Sequence, residues 1–426
     1  MRPKNAPNIR GKNMNTQQIC AQAKSESVNL ATASSELKNK VLLDFKSNLI
    51  SCTKELISEN AKDMQKAEEL GKSTAFLDRL RLDEKRILGI AEGISAVVSL
   101  PDPVGEITES YTVESGLSIK KMRSPLGVIA IIFEARPNVS ADAVALCIKS
   151  GNACVLRGSK ESVNSVKLIV REVKKALEKN GLSENLVGLI DGGNRELVKE
   201  MLSYSRYIDV VIPRGGESLK KVVLEYASMP VIASAGGNCH IYVAPSADLS
   251  TTASIVINAK CQRPGVCNAT ETLLISKKKD AEFVKDLLSA LKENGVELRG
   301  TEEINRVFPV KVIEDEEFYT EYEDLIIKIK FVSGLESAVA HINKYSTNHS
   351  EAIITYDKKE AEEFAKAVDS SAVYINASTR FTDGFEFGLG AEMGISTQKL
   401  HVRGPIGLKE LTSTKYVVTG NGTIRK

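Results

Sequence analysis

From residue 125 to residue 375 short apolar runs alternate with helical stretches, and that alternation constrains the fold more than any other feature of the chain. The runs expected as strands are 128–133, 153–157, 186–191, 208–212 and 231–234, separated by helices centred near 144, 170, 198 and 221. A second series follows at 241–243, 271–275, 326–331, 352–355 and 372–375, with helices near 285, 338 and 362. Parallel neighbours need helical crossovers, so each series predicts a doubly wound parallel sheet with its ligand site at the carboxyl ends of the strands. The expected fold class is α/β, with two doubly wound domains.

Outside this frame, residues 15–98 carry apolar positions three and four apart, as in 37–50, and read as covering helices until Pro101 and Pro103 end the run. Residues 111–122 alternate around Gly116 as a hairpin does, and 415–419 reads as an edge strand suited to pair with it. A hairpin with little to bury against nearby needs a partner. A small β oligomerisation element and a homo-oligomer, a dimer or a dimer of dimers, are therefore expected.

Charge and cysteine usage narrow the function. Fifty-seven basic and 55 acidic residues leave a net charge of +2, which argues against nucleic acid or an anionic membrane as partner. No apolar run approaches the ~20 residues that span a bilayer. Residues 1–13 are basic and lack an apolar core segment, so a loose arm is expected there and not a secretory signal. Seven cysteines without a C-x-x-C pair, and four histidines without an H-x-x-x-H pair, predict reduced thiols, a cytoplasmic protein and no metal site.

The strand ends of the first series are basic or glycine-rich. They read Glu134-Ala-Arg-Pro-Asn138, Arg157-Gly-Ser-Lys-Glu161, Asp191-Gly-Gly-Asn194 and Pro213-Arg-Gly-Gly216. Backbone N–H groups at such turns approach phosphate closely, and Arg157, Lys160 and Arg214 add positive charge. There is no G-x-G-x-x-G, so dinucleotide binding is expected without the usual fingerprint.

One cysteine stands apart. In Lys260-Cys-Gln-Arg-Pro-Gly-Val-Cys-Asn268 a Pro-Gly turn presents Cys267 just ahead of an apolar strand. Lys260 and Arg263 are expected to favour the thiolate, the reactive form of a thiol with an ordinary pKa of ~8.5. The plainer reading is a small buried hydrophobe. Cys261 falls in a helical context without that turn, and Cys147, Cys154 and Cys239 fall in core patterns.

Longer strings carry a family resemblance. Phe133-Glu-Ala-Arg-Pro-Asn-Val139, Pro213-Arg-Gly-Gly216, Pro264-Gly-Val-Cys-Asn-Ala-Thr-Glu-Thr272, Asn376-Ala-Ser-Thr-Arg-Phe-Thr-Asp-Gly384 and Glu386-Phe-Gly-Leu-Gly-Ala-Glu392 resemble the aldehyde dehydrogenase superfamily. The resemblance runs from about residue 14 onward and implies NADPH-dependent reduction of L-glutamyl 5-phosphate to glutamate 5-semialdehyde, the second step of proline biosynthesis. It makes Cys267 the nucleophile and gives Asn138 the oxyanion role, and Arg136 or Arg263 would assist phosphate departure. Ser378, Thr379 and Arg380 are candidates for the substrate's amino-acid end. Arg157 would lie against the adenosine ribose, Ser159 and Lys160 at a 2′-phosphate, and Arg214, Gly215 and Gly216 along the cofactor. Glu321 would hold the nicotinamide ribose, although Tyr322-Glu-Asp-Leu325 stands where the superfamily has x-x-Phe-Gly-Pro.

Hydrolytic members of that superfamily carry Glu-Leu-Gly-Gly, whose glutamate activates water. Here the string is Ser234-Ala-Gly-Gly237, which favours acyl-phosphate chemistry over hydrolysis. Coenzyme-A-dependent relatives share that loss, so another acylating aldehyde dehydrogenase is the alternative, and a non-catalytic scaffold is the other. The resemblance divides the chain into an NADP-binding domain (14–110 with 123–239), a catalytic domain (240–376), an oligomerisation element (111–122 with 405–426) and a substrate loop returning to the cofactor domain (377–404). A glutamate 5-kinase is the expected supplier of the unstable acyl phosphate.

Overall fold

The computed structural model describes residues 15–191, 195–234 and 236–425, in two compact units. The 1–13 stretch expected as a loose arm lies outside the described residues, as do 192–194 of the Asp191 loop.

The first unit runs to Val231 and takes back the chain from Leu411. It opens with helices α1 (Thr16–Ala31), α2 (Ser35–Ser51), α3 (Thr53–Glu69), α4 (Thr74–Leu80) and α5 (Glu84–Ser99). Their apolar stripes are real: α2 buries Val41, Leu42, Phe45 and Leu49. Strands β1 (Ile107–Thr112) and β2 (Ser118–Pro125) form the expected hairpin, with Gly116 at φ 80° in its turn. Then β3 (Val128–Phe133), α6 (Asn138–Lys149), β4 (Ala153–Arg157), α7 (Val163–Lys179), β5 (Val187–Leu189), α8 (Arg195–Leu202), β6 (Val210–Arg214) and α9 (Glu217–Tyr226) alternate. The sheet is parallel with order β5-β4-β3-β6. Strand order therefore reverses beside β3, which places the ligand crevice of such a sheet at the carboxyl ends of β3, β4 and β6. β3 is wholly buried, as a run of six apolar residues between helical layers should be.

The second unit spans Ile232–Glu410. Its elements are β7 (Cys239–Val243), α10 (Leu249–Cys261), β8 (Thr270–Ser276), α11 (Ala281–Glu293), β9 (Glu297–Gly300), α12 (Glu302–Asn305), β10 (Lys311–Val312), β11 (Ile326–Val332), α13 (Leu335–Tyr345), β12 (Ser350–Ile354), α14 (Lys358–Ala367) and β13 (Ala372–Ile375). They build a parallel sheet of order β10-β9-β11-β8-β7-β12-β13, with β8 buried along its whole length. A short ribbon of β14 (Ile395–Ser396) and β15 (Gly404–Pro405) follows. Finally β16 (Thr412–Thr419), in the first unit, pairs antiparallel along all of β2.

Three expectations change. Residues 231–234 are not a strand: Val231 makes one isolated bridge to Val211, and Ser234 one to Ser396. The crossing into the second unit comes at Ile232 rather than at residue 240, because the segment before β7 is anchored there. Gly237 donates to Glu321, and the buried Asn238 amide donates to the carbonyls of Phe318 and Tyr345 at 2.7 Å each. Residues 377–404 also remain in the second unit, held by the ribbon to β15 and the Ser234 bridge. Two strands, β9 and β10, carry charged outward positions and show no apolar run in the sequence.

Candidate active site

In the first unit, Arg157, Ser159 and Lys160 of the predicted cofactor residues line clefts at the carboxyl ends of the strands. A cleft of about 410 Å³ is lined by Phe133 and Glu134 after β3, Arg157, Ser159, Lys160 and Glu161 after β4, and Leu219 on α9. A neighbouring cavity of about 140 Å³ shares Ser159 and Lys160 and adds Gly158, Lys66 and Asp191. A Cβ at Gly158 would come within 3.1 Å of the Phe133 ring, so a side chain there would have to push that ring aside by a few tenths of an ångström. Arg157 is buried, and its Nη1 donates to the Gly158 carbonyl at 2.6 Å. Burial lowers the Arg157 pKa, while the carboxylates of Glu161 and Glu134 oppose that. At the β6 turn the Gly216 N–H donates to Glu134 Oε2 at 3.0 Å, and a Cβ at Gly215 would lie 2.6 Å from the same oxygen. The Gly215-Gly216 cradle thus holds the Glu134 carboxylate, which lines the larger cleft together with the cations Lys72, Arg157 and Lys160.

The turn after β3 holds Ala135 at φ 45°, a left-handed conformation that directs the following residues into α6. Arg136 is exposed there, and Asn138 opens the helix. Asn138 Nδ2 donates to Asp142 Oδ2 at 3.1 Å, one helical turn on, which fixes the rotation of the amide.

Cys267 lies in the second unit. After α10 ends at Cys261, the chain turns through Pro264 and Gly265, passes Cys267, and enters the buried β8. This turn is fastened on several sides. The Cys267 carbonyl accepts from Cys239 Sγ at 3.2 Å, and a Cβ at Gly237 would overlap that carbonyl. The next residue, Asn268, donates through Nδ2 to the carbonyls of Arg380 (3.3 Å) and Thr382 (3.0 Å). Its own carbonyl accepts from Thr379 Oγ1 at 2.6 Å, and its Oδ1 accepts from Arg380 Nη1.

The 378–382 loop therefore sits against the Cys267 turn, and much of its hydrogen bonding goes inward. Arg380 also donates through Nε to Gln262 at 2.9 Å, and Ser378 Oγ accepts from the Arg380 N–H at 3.3 Å. Burial lowers the Arg380 pKa, and the Arg263 charge lowers it further, whereas Asp383, Cys267 and Glu386 raise it. Arg263, Arg380 and Cys267 are thus electrostatic neighbours. Lys260, expected to favour the thiolate, has its ammonium engaged elsewhere. It is fully buried and pairs with Glu271 at 3.0 Å.

Glu321 reaches the same region from the other side, accepting from the Gly237 N–H at 2.6 Å. The Gly236-Gly237 step consequently lies between the Glu321 carboxylate and the Cys267 carbonyl. Asn238, Cys239, Asn268 and Lys328 are structural partners of this site that sequence reading missed. For Asn268 a signal existed, a lone amide immediately before a fully buried strand. The arrangement can do one thing well: hold a thiol rigidly at a turn, with cationic side chains close by, while a carboxylate is fixed on the glycine step beside it.

Among the described residues no group of three or more His, Cys, Asp and Glu side chains is placed to hold a metal ion. No described helix is long and apolar enough to cross a membrane.

Residues 7–309 match the aldehyde dehydrogenase family. The gamma-glutamyl phosphate reductase of Carboxydothermus hydrogenoformans is 50% identical over 408 residues, 96% of this chain and 98% of that protein. That of Heliobacterium modesticaldum is 49% identical over 404 residues, 95% and 97% of the two chains. The crystal structure of the Thermotoga maritima gamma-glutamyl phosphate reductase superposes with a TM-score of 0.95 at 42% identity, covering 97% of this chain and all of that one. An acetylating aldehyde dehydrogenase from Geobacillus thermoglucosidasius, 15% identical with a TM-score of 0.70 and coverage of 96% and 97%, shares the fold. The chain belongs to the aldehyde dehydrogenase family, and within it to the gamma-glutamyl phosphate reductases.

Proposed function

We propose that this protein reduces L-glutamyl 5-phosphate to L-glutamate 5-semialdehyde with release of phosphate, the second step of proline biosynthesis, through a thioester on Cys267. The reading rests above all on the fastened turn that presents Cys267, together with serine at position 234 where a hydrolytic relative carries its base. The names and identities of the relatives support the substrate.

Cys267 Sγ, as thiolate, adds to the acyl carbon. The oxyanion is received by the Cys267 backbone N–H and the Asn138 amide, interactions of a kind worth ~10²–10³ in rate. The carbon–oxygen bond to phosphate then breaks, phosphate leaves with the electron pair, and Arg263 or Arg136 offsets its charge. The acyl group stays on sulfur, because Ser234 cannot activate water as a carboxylate would. Release of the semialdehyde returns the thiolate. Arg380, with Ser378 and Thr379 shaping its loop, takes the substrate's carboxylate through the face of the guanidinium not bonded to Asn268 and Gln262.

A nicotinamide cofactor supplies the hydride for this reduction. The first unit's crevice suits one: it lies at a reversal of strand order, has a volume of about 410 Å³, and joins a hydroxyl and an ammonium at Ser159 and Lys160. That pair suits the 2′-phosphate of NADPH. Arg157 serves the adenosine ribose, Arg214 with Gly215 and Gly216 the phosphates, and Glu321 the nicotinamide ribose. A cytoplasmic homo-oligomer completes the reading, with β1, β2 and β16 as its oligomerisation element and a glutamate 5-kinase as supplier of the acyl phosphate.

The test is reverse turnover. Protein mixed with glutamate 5-semialdehyde, NADP and inorganic phosphate should form NADPH, followed by absorbance, and Cys267→Ala should abolish it. Turnover that proceeds equally without phosphate would show that water resolves the acyl-enzyme and would overturn the acyl-phosphate reading.

A further inference from the structure

The segment that carries Glu321 lacks the Phe-Gly-Pro context of the superfamily, yet it is firmly held. Lys328, in the middle of β11 and fully buried, donates to the carbonyl of Thr320 and to that of Phe318 at 3.4 Å. The same ammonium donates to Asn238 Oδ1 at 2.9 Å, and Asn238 itself follows the Gly237 N–H that binds Glu321. On the other flank, the Tyr322 N–H donates to Glu271 Oε2 at 3.1 Å, and Glu271 Oε1 accepts from the buried Lys260 at 3.0 Å. Residues 320 and 322 are thus each gripped by a buried charged side chain, and the carboxylate between them is gripped by the glycine step.

Stability is a weak reason for such an arrangement. Buried ion pairs are often replaced by apolar residues without loss, because the desolvation of both charges offsets their attraction. A fully buried lysine on β11 and a fully buried glutamate on the adjacent β8 therefore point to a demand for position. We propose that Lys328 and Glu271 are positioning residues for Glu321, setting the carboxylate that receives the nicotinamide ribose in place of the missing Phe-Gly-Pro turn. The proposal rests on the ribose role given to Glu321 above.

The experiment is a double-mutant cycle read by direct binding of NADPH through the cofactor's own fluorescence, with thermal melting of every variant alongside. Glu321→Ala and Lys328→Met should each weaken NADPH by about tenfold, the loss of one charge-assisted hydrogen bond. The double variant should bind no worse than Glu321→Ala alone, since Lys328 acts only through that carboxylate. Additive losses, near hundredfold together, or unchanged binding by Lys328→Met would overturn the proposal. Unchanged binding by Glu321→Ala would instead remove the ribose role itself, and the positioning claim with it. Should Lys328→Met melt too low to study, Glu271→Gln, which keeps the side chain's shape, enters the same cycle with the same expected outcomes.

Discussion

Gly237 shows how little tolerance surrounds the Cys267 turn. Its missing side chain makes room for the Cys267 carbonyl, while its N–H holds Glu321. Gly237→Ala must displace the Cys267 turn, and a displacement of about 1 Å at a reacting atom costs about 10²-fold in rate. Turnover should fall by at least that factor while NADPH still binds; a variant with near-normal turnover would show that the turn yields easily. The turn that presents Cys267 was legible, because Pro-Gly ahead of an apolar strand is a local pattern. The commitment of Lys260 to Glu271 was not. The two lie 11 residues apart on a helix and a strand, and only the packed crossover brings them together. The inward bonding of Arg380 was equally hidden, since its partner Asn268 is 112 residues away.

At the level of elements, periodicity located the long helices and the fully apolar strands, and failed where an element is held by something other than an apolar face. α7 was located by its period, but its cap was not legible: its own N-cap, Ser162, makes no capping bond. The task falls to Asp63 on α3, which accepts from the N–H groups of Asn164 and Ser165 at 3.2 and 2.9 Å and from the Ser165 hydroxyl at 2.7 Å. This cap stands just beyond Ser159 and Lys160, so it also steadies the β4 turn. Asp63→Ala leaves those buried donors unmatched and should lower stability by about 2 kcal/mol. Chemical denaturation measures it, and a loss below a few tenths would mean that water or Asn60 replaces the cap. The strand expected at 231–234 failed for the opposite reason. Its residues are apolar enough, but their backbone is engaged by single bridges and by contacts of the following segment.

For the molecule as a whole, the alternating pattern made both sheets legible and left the exchange points between units unreadable, because those depend on distant side chains such as Asn238. The buried histidines set its response to acid. Burial lowers His240 to about 3, with the Lys328 charge adding to the effect, and lowers His349 to about 4. Burial also lowers His341, again helped by a neighbouring charge, that of His240. Unfolded imidazoles take up protons near pH 6.5, so the unfolded chain binds more protons below that value and stability is lost as pH falls from about 6.5. Glu351 runs the other way: burial raises it to about 8, and its contribution is lost as pH rises from about 4.5. Three histidines outweigh one glutamate, so the urea midpoint should drop between pH 7 and pH 5, and drop more steeply in Glu351→Gln. A midpoint that rises on acidification would contradict this balance. The closing strand β16 bears on biogenesis. The chain emerges from the ribosome in order, and Thr412 meets Arg123 only after 289 further residues have been made. Until then the β1–β2 ribbon is a two-stranded hairpin whose β2 edge, later covered by β16, is open, the kind of edge that recruits other chains. The nascent protein therefore carries an adhesive strand through most of its synthesis, and its first unit can mature only once the second has already emerged.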